Sequence, residues 1–394
     1  MDFGNYEVNG YDYLIVGAGL YGAIVARELA ESGKRCLVID RRVHVAGTAY
    51  TEKVNDIDVH VFGAHIFHSG KTEWDYLNKF AEFENYVNSP IAVFLDEQRL
   101  NYEVYNLPFN MNTFSRIFNT PYPDKVKSII SKEIYDFNGD PSIDHSVNNL
   151  ENKAISLVGT TIYNKLIKGY TEKQWGRKCT ELDGSIITRL PVRFTYDNNY
   201  FDDEYQGIPV NGYTDLVTNI LCHGNIRVNL GLDYNKCSMK GDGGLKKVIY
   251  TGRIDEFFKF KHGVLDFRGL NFNTQEMDYN SYQGTAVMNY TSSNISITRS
   301  IEHKYFKKNP VNNGTTVLTL ESSSDNLKDI GNAYYPISDK VNKELFLKYK
   351  GEEATFNGGQ VVFGGRLGDY KYYNMDVIVR KALEMSKEII EEGK

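Results

Sequence analysis

The sequence predicts an α/β fold: a Rossmann-like domain assembled from separated stretches of chain, with a helical domain and an antiparallel β-sheet domain inserted into it. Three observations predict this. A short apolar run, YDYLIV at 11–16, ends in a glycine-rich turn and a helical stretch. Residues 91–204 carry mainly helical periodicity. Residues 263–354 carry alternating runs, after which a buried strand and a helix close the chain. The 394 residues give room for two or three domains at roughly 150 residues each.

The elements follow in order. Residues 1–10, MDFGNYEVNG, are polar and acidic, and read as a disordered tail. The apolar run 11–16 fits a buried parallel strand. Leu20 to Ser32 read as a helix with Ala23, Ala26 and Ala30 as small packing residues, and Gly33 as its stop. Residues 36–39 (CLVI) are a second buried strand, with Asp40 at its end. Residues 57–62 alternate as a strand. Residues 72–87 read as a helix carrying Trp74, Leu77, Phe80 and Phe83. Residues 124–137 and 148–172 are helical, and the second places Ile155, Val158, Ile162 and Leu166 on one face. Thr214 to Leu221 form an amphipathic helix, Ile226–Leu230 a strand, and Val248–Thr251 another short buried strand. Ala286–Tyr290 and Thr315–Leu320 belong to the antiparallel sheet. Gln360–Phe363 is a buried strand, Gly364-Gly365 a turn, and Asn374 or Asp376 caps the last helix. The domains are then 11–90, 205–262 and 355–394 for the discontinuous Rossmann-like unit, 91–204 for the helical unit and 263–354 for the sheet.

Composition excludes several classes. The charge balance, 45 basic against 51 acidic residues, argues against a nucleic-acid binder held by bulk positive charge. No apolar run approaches the ~20 residues of a spanning helix, and the N-terminus resembles neither a signal nor a transit peptide. Cys36, Cys179, Cys222 and Cys237 form no CxxC and show no zinc spacing with histidine. They read as reduced thiols of a cytoplasmic protein. His65 and His68 are three apart, but no third metal ligand is in view, so no metal is expected.

Gly17, Gly19 and Gly22 form G-x-G-x-x-G between strand and helix. Gly17 allows the tight turn, Gly19 lets backbone approach a pyrophosphate, and Gly22 lets the helix pack close to the strand. The helix N-terminus offers free N–H groups and partial positive charge. Asp40, 18 residues after Gly22, sits where a carboxylate accepts from both adenosine ribose hydroxyls. The small-residue loop Ala46-Gly47-Thr48 and the late turn Gly364-Gly365-Arg366 before a closing helix favour FAD over NAD, with NAD left open on these residues alone.

These motifs converge on a family. The chain resembles the bacterial UDP-galactopyranose mutases from about Tyr11 to the C-terminal helix. The match rests on YDYLIVGAGLYGA (11–23), FGAHIFH (62–68), NLPFNMNTF (106–114), KGYTEKQWGR (168–177), RLPVRFTYDNNYF (189–201), YQGIPV (205–210), TRSIEHKYF (298–306), AYYPI (333–337) and FGGRLGDYKYYNMD (363–376). The resemblance implies a three-domain flavoenzyme, a homodimer, that interconverts UDP-galactopyranose and UDP-galactofuranose. It implies FAD that is active when reduced, with no net redox, and ring contraction through a flavin N5–sugar adduct and an iminium ion.

The resemblance also implies site residues. Arg189 and Arg299 match two diphosphate arginines, the first in a mobile loop over the site, and His68 matches the histidine beside the isoalloxazine. For His65 the core and functional readings are even. Tyr200, Tyr335 and Tyr372 match donors to phosphate oxygens. Trp175 matches an indole lining the sugar pocket with Thr171 beside it, and Asn88, Arg268 and Asn289 match further substrate-side residues. Gly17, Gly19, Gly22, Asp40, Gly47, Arg366, Tyr372 and Asn374 fall on the cofactor side.

Four departures from the family pattern bear on this. Ala46 stands where the family has glycine, which a negative φ would accommodate. Asn211 replaces another glycine. Asn374 stands where the family has aspartate. Residues 97–105 look longer than usual, near the uracil side. The departures keep open the same chemistry on UDP-N-acetylgalactosamine or dTDP-fucose. An amine-oxidase-type flavin oxidoreductase and a catalytically silent nucleotide-sugar binder are the readings from other classes.

Overall fold

The structure is a computed structural model that describes residues 5–188, 190–236, 238–240, 244–324, 333–356 and 360–393. At its centre lies a parallel five-stranded sheet in the order Ile226–Leu230, Cys36–Asp40, Tyr13–Val16, Lys247–Tyr250, Val361–Phe363. Alternation along these strands feeds two cores. Tyr13, Ile15, Cys36, Val38 and Ile249 face one side, under the helices Leu20–Glu31, Gly212–Leu221 and Met375–Glu392. Leu14, Leu37, Ile39, Val248 and Tyr250 face the other, with Phe267, Tyr349 and Tyr370. Burial on both faces explains why the strands are near-continuous apolar runs. The first helix ends as its sequence indicates: Gly33 has φ +82°, its N–H bonds Ala30 O, and Lys34 N–H bonds Leu29 O.

A seven-stranded sheet runs in the order Tyr335–Pro336, Phe267–Met277, Thr316–Ser324, Arg299–Glu302, Val287–Tyr290, Ile91–Asp96, Asn101–Asn106. It is antiparallel except where Val287–Tyr290 meets Ile91–Asp96 in parallel. The last two strands fall inside the stretch read as the helical domain. Helices therefore begin at Met111–Phe118 and continue through Pro123–Asn138 and Leu150–Ile162. A wide π-type turn, Tyr163–Lys168, then leads into the helix Gly169–Trp175. This segment has its own core, built on Phe114, Val126, Ile155, Val158 and Ile162.

Other expectations need correction. The helix expected over 72–87 is confined to Lys71–Leu77, and Phe83–Asn85 is a strand beside Tyr205–Pro209. Its apolar residues recur every three positions, which drifts about 60° per step around an α-helix and makes no stripe. Within the stretch read as a disordered tail, Asn5–Glu7 pair in parallel with Ser238–Lys240 and Val8 is buried; residues 1–4 lie outside the described residues. The helix Lys340–Thr355 ends at the expected domain boundary, yet its Tyr349 packs into the core of the parallel sheet. Among the described residues no helix is long and apolar enough to cross a membrane.

Candidate active site

The glycines of the first turn each have a steric reason. Gly17 has φ +117°, and a Cβ there would lie 1.9 Å from Thr251 Oγ1. A Cβ on Gly22 would lie 2.0 Å from Gly17 O. Gly19 caps the helix in extended conformation, and a Cβ there would touch only Gly47 Cα, at 3.9 Å. The cradle is thus filled on its protein side and open on the other. Asp40 is buried and accepts from Ala18 N–H and Arg42 N–H, both at 2.8 Å. Each carboxylate oxygen keeps a lone pair for a ligand hydroxyl. Ala46 has φ +71°, which corrects the expected negative value. Its N–H donates to Ala18 O at 2.9 Å, which holds the Gly47 loop against Gly19 despite the left-handed strain.

A second group of residues gathers arginines and phenols. Register makes part of it: Asn289 faces Arg299, and Arg299 faces Glu321, in one row across three strands. Arg299 Nη2 donates to Tyr170 OH at 3.0 Å, Nη1 lies 3.6 Å from Glu321 Oε2, and Nε is buried without a partner among the described residues. Tyr335 sits 5.3 Å from Tyr372 and 6.1 Å from Trp175, centroid to centroid. Arg366 lies over the rings of Tyr372 and Tyr334 at 4.9 and 5.6 Å, and its Nη2 donates to Tyr373 O. Burial pushes Tyr200 up to about 12, with Tyr170 adding and Arg299 opposing. Burial, with Tyr372 and Tyr334, holds Tyr335 well above the usual phenol range. At neutral pH both are donors.

The helix Gly169–Trp175 carries Thr171 and Trp175 one turn apart. Three carbonyls, those of Tyr290, Ile295 and Ile297, accept from Lys173 Nζ at 2.8 to 2.9 Å. Arg268, also buried, donates to Gln174 O and Lys173 O. Asn88 O accepts from Tyr200 N–H, while Asn88 Oδ1 is buried without a partner among the described residues. Asn289 Nδ2 donates to Ile91 O at 3.3 Å. The stretch 190–200, which belongs with Arg189 to the expected mobile loop, is stitched to 109–112 through Met111 N–H to Thr195 O and Asn110 Nδ2 to Asn198 Oδ1. Arg189 lies outside the described residues. Asn374 occupies the N-cap of the last helix, but its side chain makes no cap bond.

The two histidines of GAHIFH part company. His68 Nδ1 bonds Asp203 Oδ2 at 2.7 Å, and its ring stacks on Phe201. His65 is pushed down to about 4, by burial first; Gly63 O opposes, and Arg366 and Arg299 add. His65 therefore lies in the field of the arginine cluster. Sequence reasoning did not single out Tyr170 or Glu321. Tyr170 is inside the quoted KGYTEKQWGR run; Glu321 gains its meaning only from strand register.

A family model described as UDP-galactopyranose mutase matches residues 165–372, and one for an NAD(P)-binding Rossmann-like domain matches 15–80. A probable UDP-galactopyranose mutase of Klebsiella pneumoniae is 38% identical over 389 residues, covering 97% of this chain and 96% of that one. A dTDP-fucopyranose mutase of Escherichia coli is 34% identical, covering 97% and 99%. Among solved structures, a reduced UDP-galactopyranose mutase superposes with TM-score 0.71 at 13% identity, covering 97% and 96%. A putrescine oxidase does so with TM-score 0.57 at 10% identity, covering 98% and 100%, a likeness of fold alone. The glycine cradle and the matched domain define a Rossmann-type dinucleotide-binding enzyme. The chain belongs to the UDP-galactopyranose mutase family, and it is an isomerase.

Proposed function

We propose that the protein interconverts UDP-galactopyranose and UDP-galactofuranose, with FAD in the glycine cradle, reduced when active and unchanged over a turnover. One observation carries the reading: Arg299, anchored by Tyr170 and Glu321 and close to further phenols, has a buried Nε with no partner among the described residues. A diphosphate oxygen would satisfy that N–H. The residues present fit FAD. Gly19 leaves backbone room for a pyrophosphate, Gly17, Gly22 and Gly47 allow the close packing that shapes the cradle around it, and Asp40 keeps lone pairs for the ribose. Arg366, Tyr372 and Asn374 would close the cofactor's other end. Reduced flavin supplies a nucleophilic nitrogen at the sugar carbon.

The chain's own residues bind, orient and shield. Arg299, with Arg189, holds the diphosphate while UDP leaves and returns, so the leaving group is stabilised without being lost. Tyr200, Tyr335 and Tyr372 donate to phosphate oxygens without adding charge. Trp175 and Thr171 line the sugar, and Asn88, Arg268 and Asn289 border them. His65, in the field of Arg299 and Arg366, is assigned to the cofactor side together with His68. Among the described residues Cys36, Cys179 and Cys222 are free thiols, which suits a reducing, cytoplasmic setting; a homodimer is expected from the resemblance.

The test is product analysis. Purified protein is incubated with UDP-galactofuranose, with and without dithionite, and the two UDP-galactoses are separated by chromatography. Conversion only under reduction is the expected result. No conversion with flavin bound and bleached would overturn the UDP-galactose reading. A second reading, the same isomerisation on dTDP-fucose, is favoured by the 34% identity to the dTDP-fucopyranose mutase. The same assay with dTDP-fucofuranose separates the two.

A further inference from the structure

Two buried histidines, His60 and His303, each 1% exposed, have no part in the reading above. They are linked by an ordered set of hydrogen bonds. His65 N–H donates to His60 Nδ1 at 3.2 Å, and His60 N–H donates to His303 Nδ1 at 3.2 Å. His303 Nε2 lies 2.7 Å from Thr319 Oγ1, which lies 2.8 Å from Thr274 Oγ1. An imidazole that accepts at Nδ1 is neutral and carries its proton on Nε2. His303 therefore donates from Nε2 to Thr319.

The surroundings enforce that state. Burial pushes His303 down to about 3 and His60 well below the usual imidazole range, with His303, His65 and Lys307 adding at His60. The His60 ring stacks on Phe306 at 4.6 Å and meets Tyr213 edge-on at 5.7 Å. Both rings are buried, and that of His60 is held between these two aromatic neighbours.

What the chain of bonds connects gives it meaning. His60 ends the hairpin Thr51–Val54/Ile57–His60 and leads into the Gly63–His65 turn. His303 follows directly on the strand Arg299–Glu302. Thr319 lies two residues before Glu321 on one strand, so both point to one sheet face. In register Ile301 faces Thr319 and Arg299 faces Glu321. One strand therefore fixes Arg299 directly and the His65 turn through two imidazoles.

We propose that His60 and His303 are positioning residues, neutral imidazole spacers that hold the Gly63–His65 turn in register with Arg299. They set the separation between the cofactor side and the diphosphate side of the site. The proposal rests on the assignment of those two sides given above.

The test uses the flavin-loaded enzyme and two substitutions. His60→Phe keeps a ring on Phe306 but removes the acceptor, whereas His60→Asn returns an acceptor near the place of Nδ1. His60→Phe should lower kcat about 100-fold, as expected for a misplacement near 1 Å, with KM nearly unchanged. It should also speed hydrogen exchange at the His65 amide. His60→Asn should restore most of kcat and the amide protection. A His60→Phe enzyme as fast as the parent, or a His60→Asn enzyme no better than His60→Phe, would overturn the proposal. Should His60→Phe not fold, exchange at the His65 amide of the parent holoenzyme decides: protection supports the bond, and open-loop exchange overturns it. A parent enzyme inert toward both nucleotide sugars would remove the functional reading, and the amide measurement would still judge the spacer.

Discussion

Arg299 shows how much of its chemistry a single residue borrows from its neighbours. Its guanidinium is held by Tyr170 and Glu321, so a shorter, mobile ammonium at the same place loses both anchors. Arg299→Lys should lower kcat/KM about 30- to 100-fold, the equivalent of a charge-assisted hydrogen bond at about 2–3 kcal/mol. Steady-state kinetics with UDP-galactofuranose under dithionite check this. At Gly22 the constraint is steric, since a methyl would collide with Gly17 O at 2.0 Å. Gly22→Ala should yield a chain that purifies with little flavin, measured as absorbance near 450 nm per chain. The glycine motif and Asp40 were readable in the sequence because their spacing encodes a local turn. Tyr170 and Glu321 were not, because their roles arise from strand register and a helix crossing. Nor did the sequence reveal the sign of φ at Ala46, which is imposed by the bond from Ala46 N–H to Ala18 O.

Among the elements, the helix Gly169–Trp175 is short for its task and depends on outside support. Lys173 ties it to the 290–297 turn through three carbonyls. Lys173→Met leaves those carbonyls without their donor and should cost about 2 kcal/mol of stability. Urea unfolding of the loaded protein checks the loss, and KM for the nucleotide sugar should rise as Trp175 loosens. The sequence announced the elements with a clean period, such as Leu20–Glu31 and the buried parallel strands. It misassigned 72–87, where apolar spacing of three mimicked a helix. It also placed Ile91–Asp96 and Asn101–Asn106 in the helical unit, because Asn101–Asn106 pairs with Ile91–Asp96, whose other partner lies nearly 200 residues away in the chain (Ala92 faces Asn289).

For the whole molecule, the buried histidines couple folding to acidity. His303 is pushed down to about 3 and His60 is lowered by burial, against about 6.5 in an unfolded chain. The unfolded state therefore binds more protons below about pH 6.5. The stability these groups contribute is full above that value and is lost as the pH falls, in the case of His303 toward about 3. Each contributes a slope of about 1.4 kcal/mol per pH unit within the window. Melting temperature should drop steeply between pH 6.5 and 4.5, and His303→Asn should flatten that drop. The order of the parallel sheet has a further consequence, for how the protein is made. Its strands come from residues 13–40, 226–250 and 361–363, and the helix Met375–Glu392 packs on Leu20–Glu31. At about 5–20 residues per second, a ribosome leaves that first helix without its final cover for tens of seconds. Nascent chains arrested before Val361 should be held by chaperones and digested by protease, while completed chains resist both.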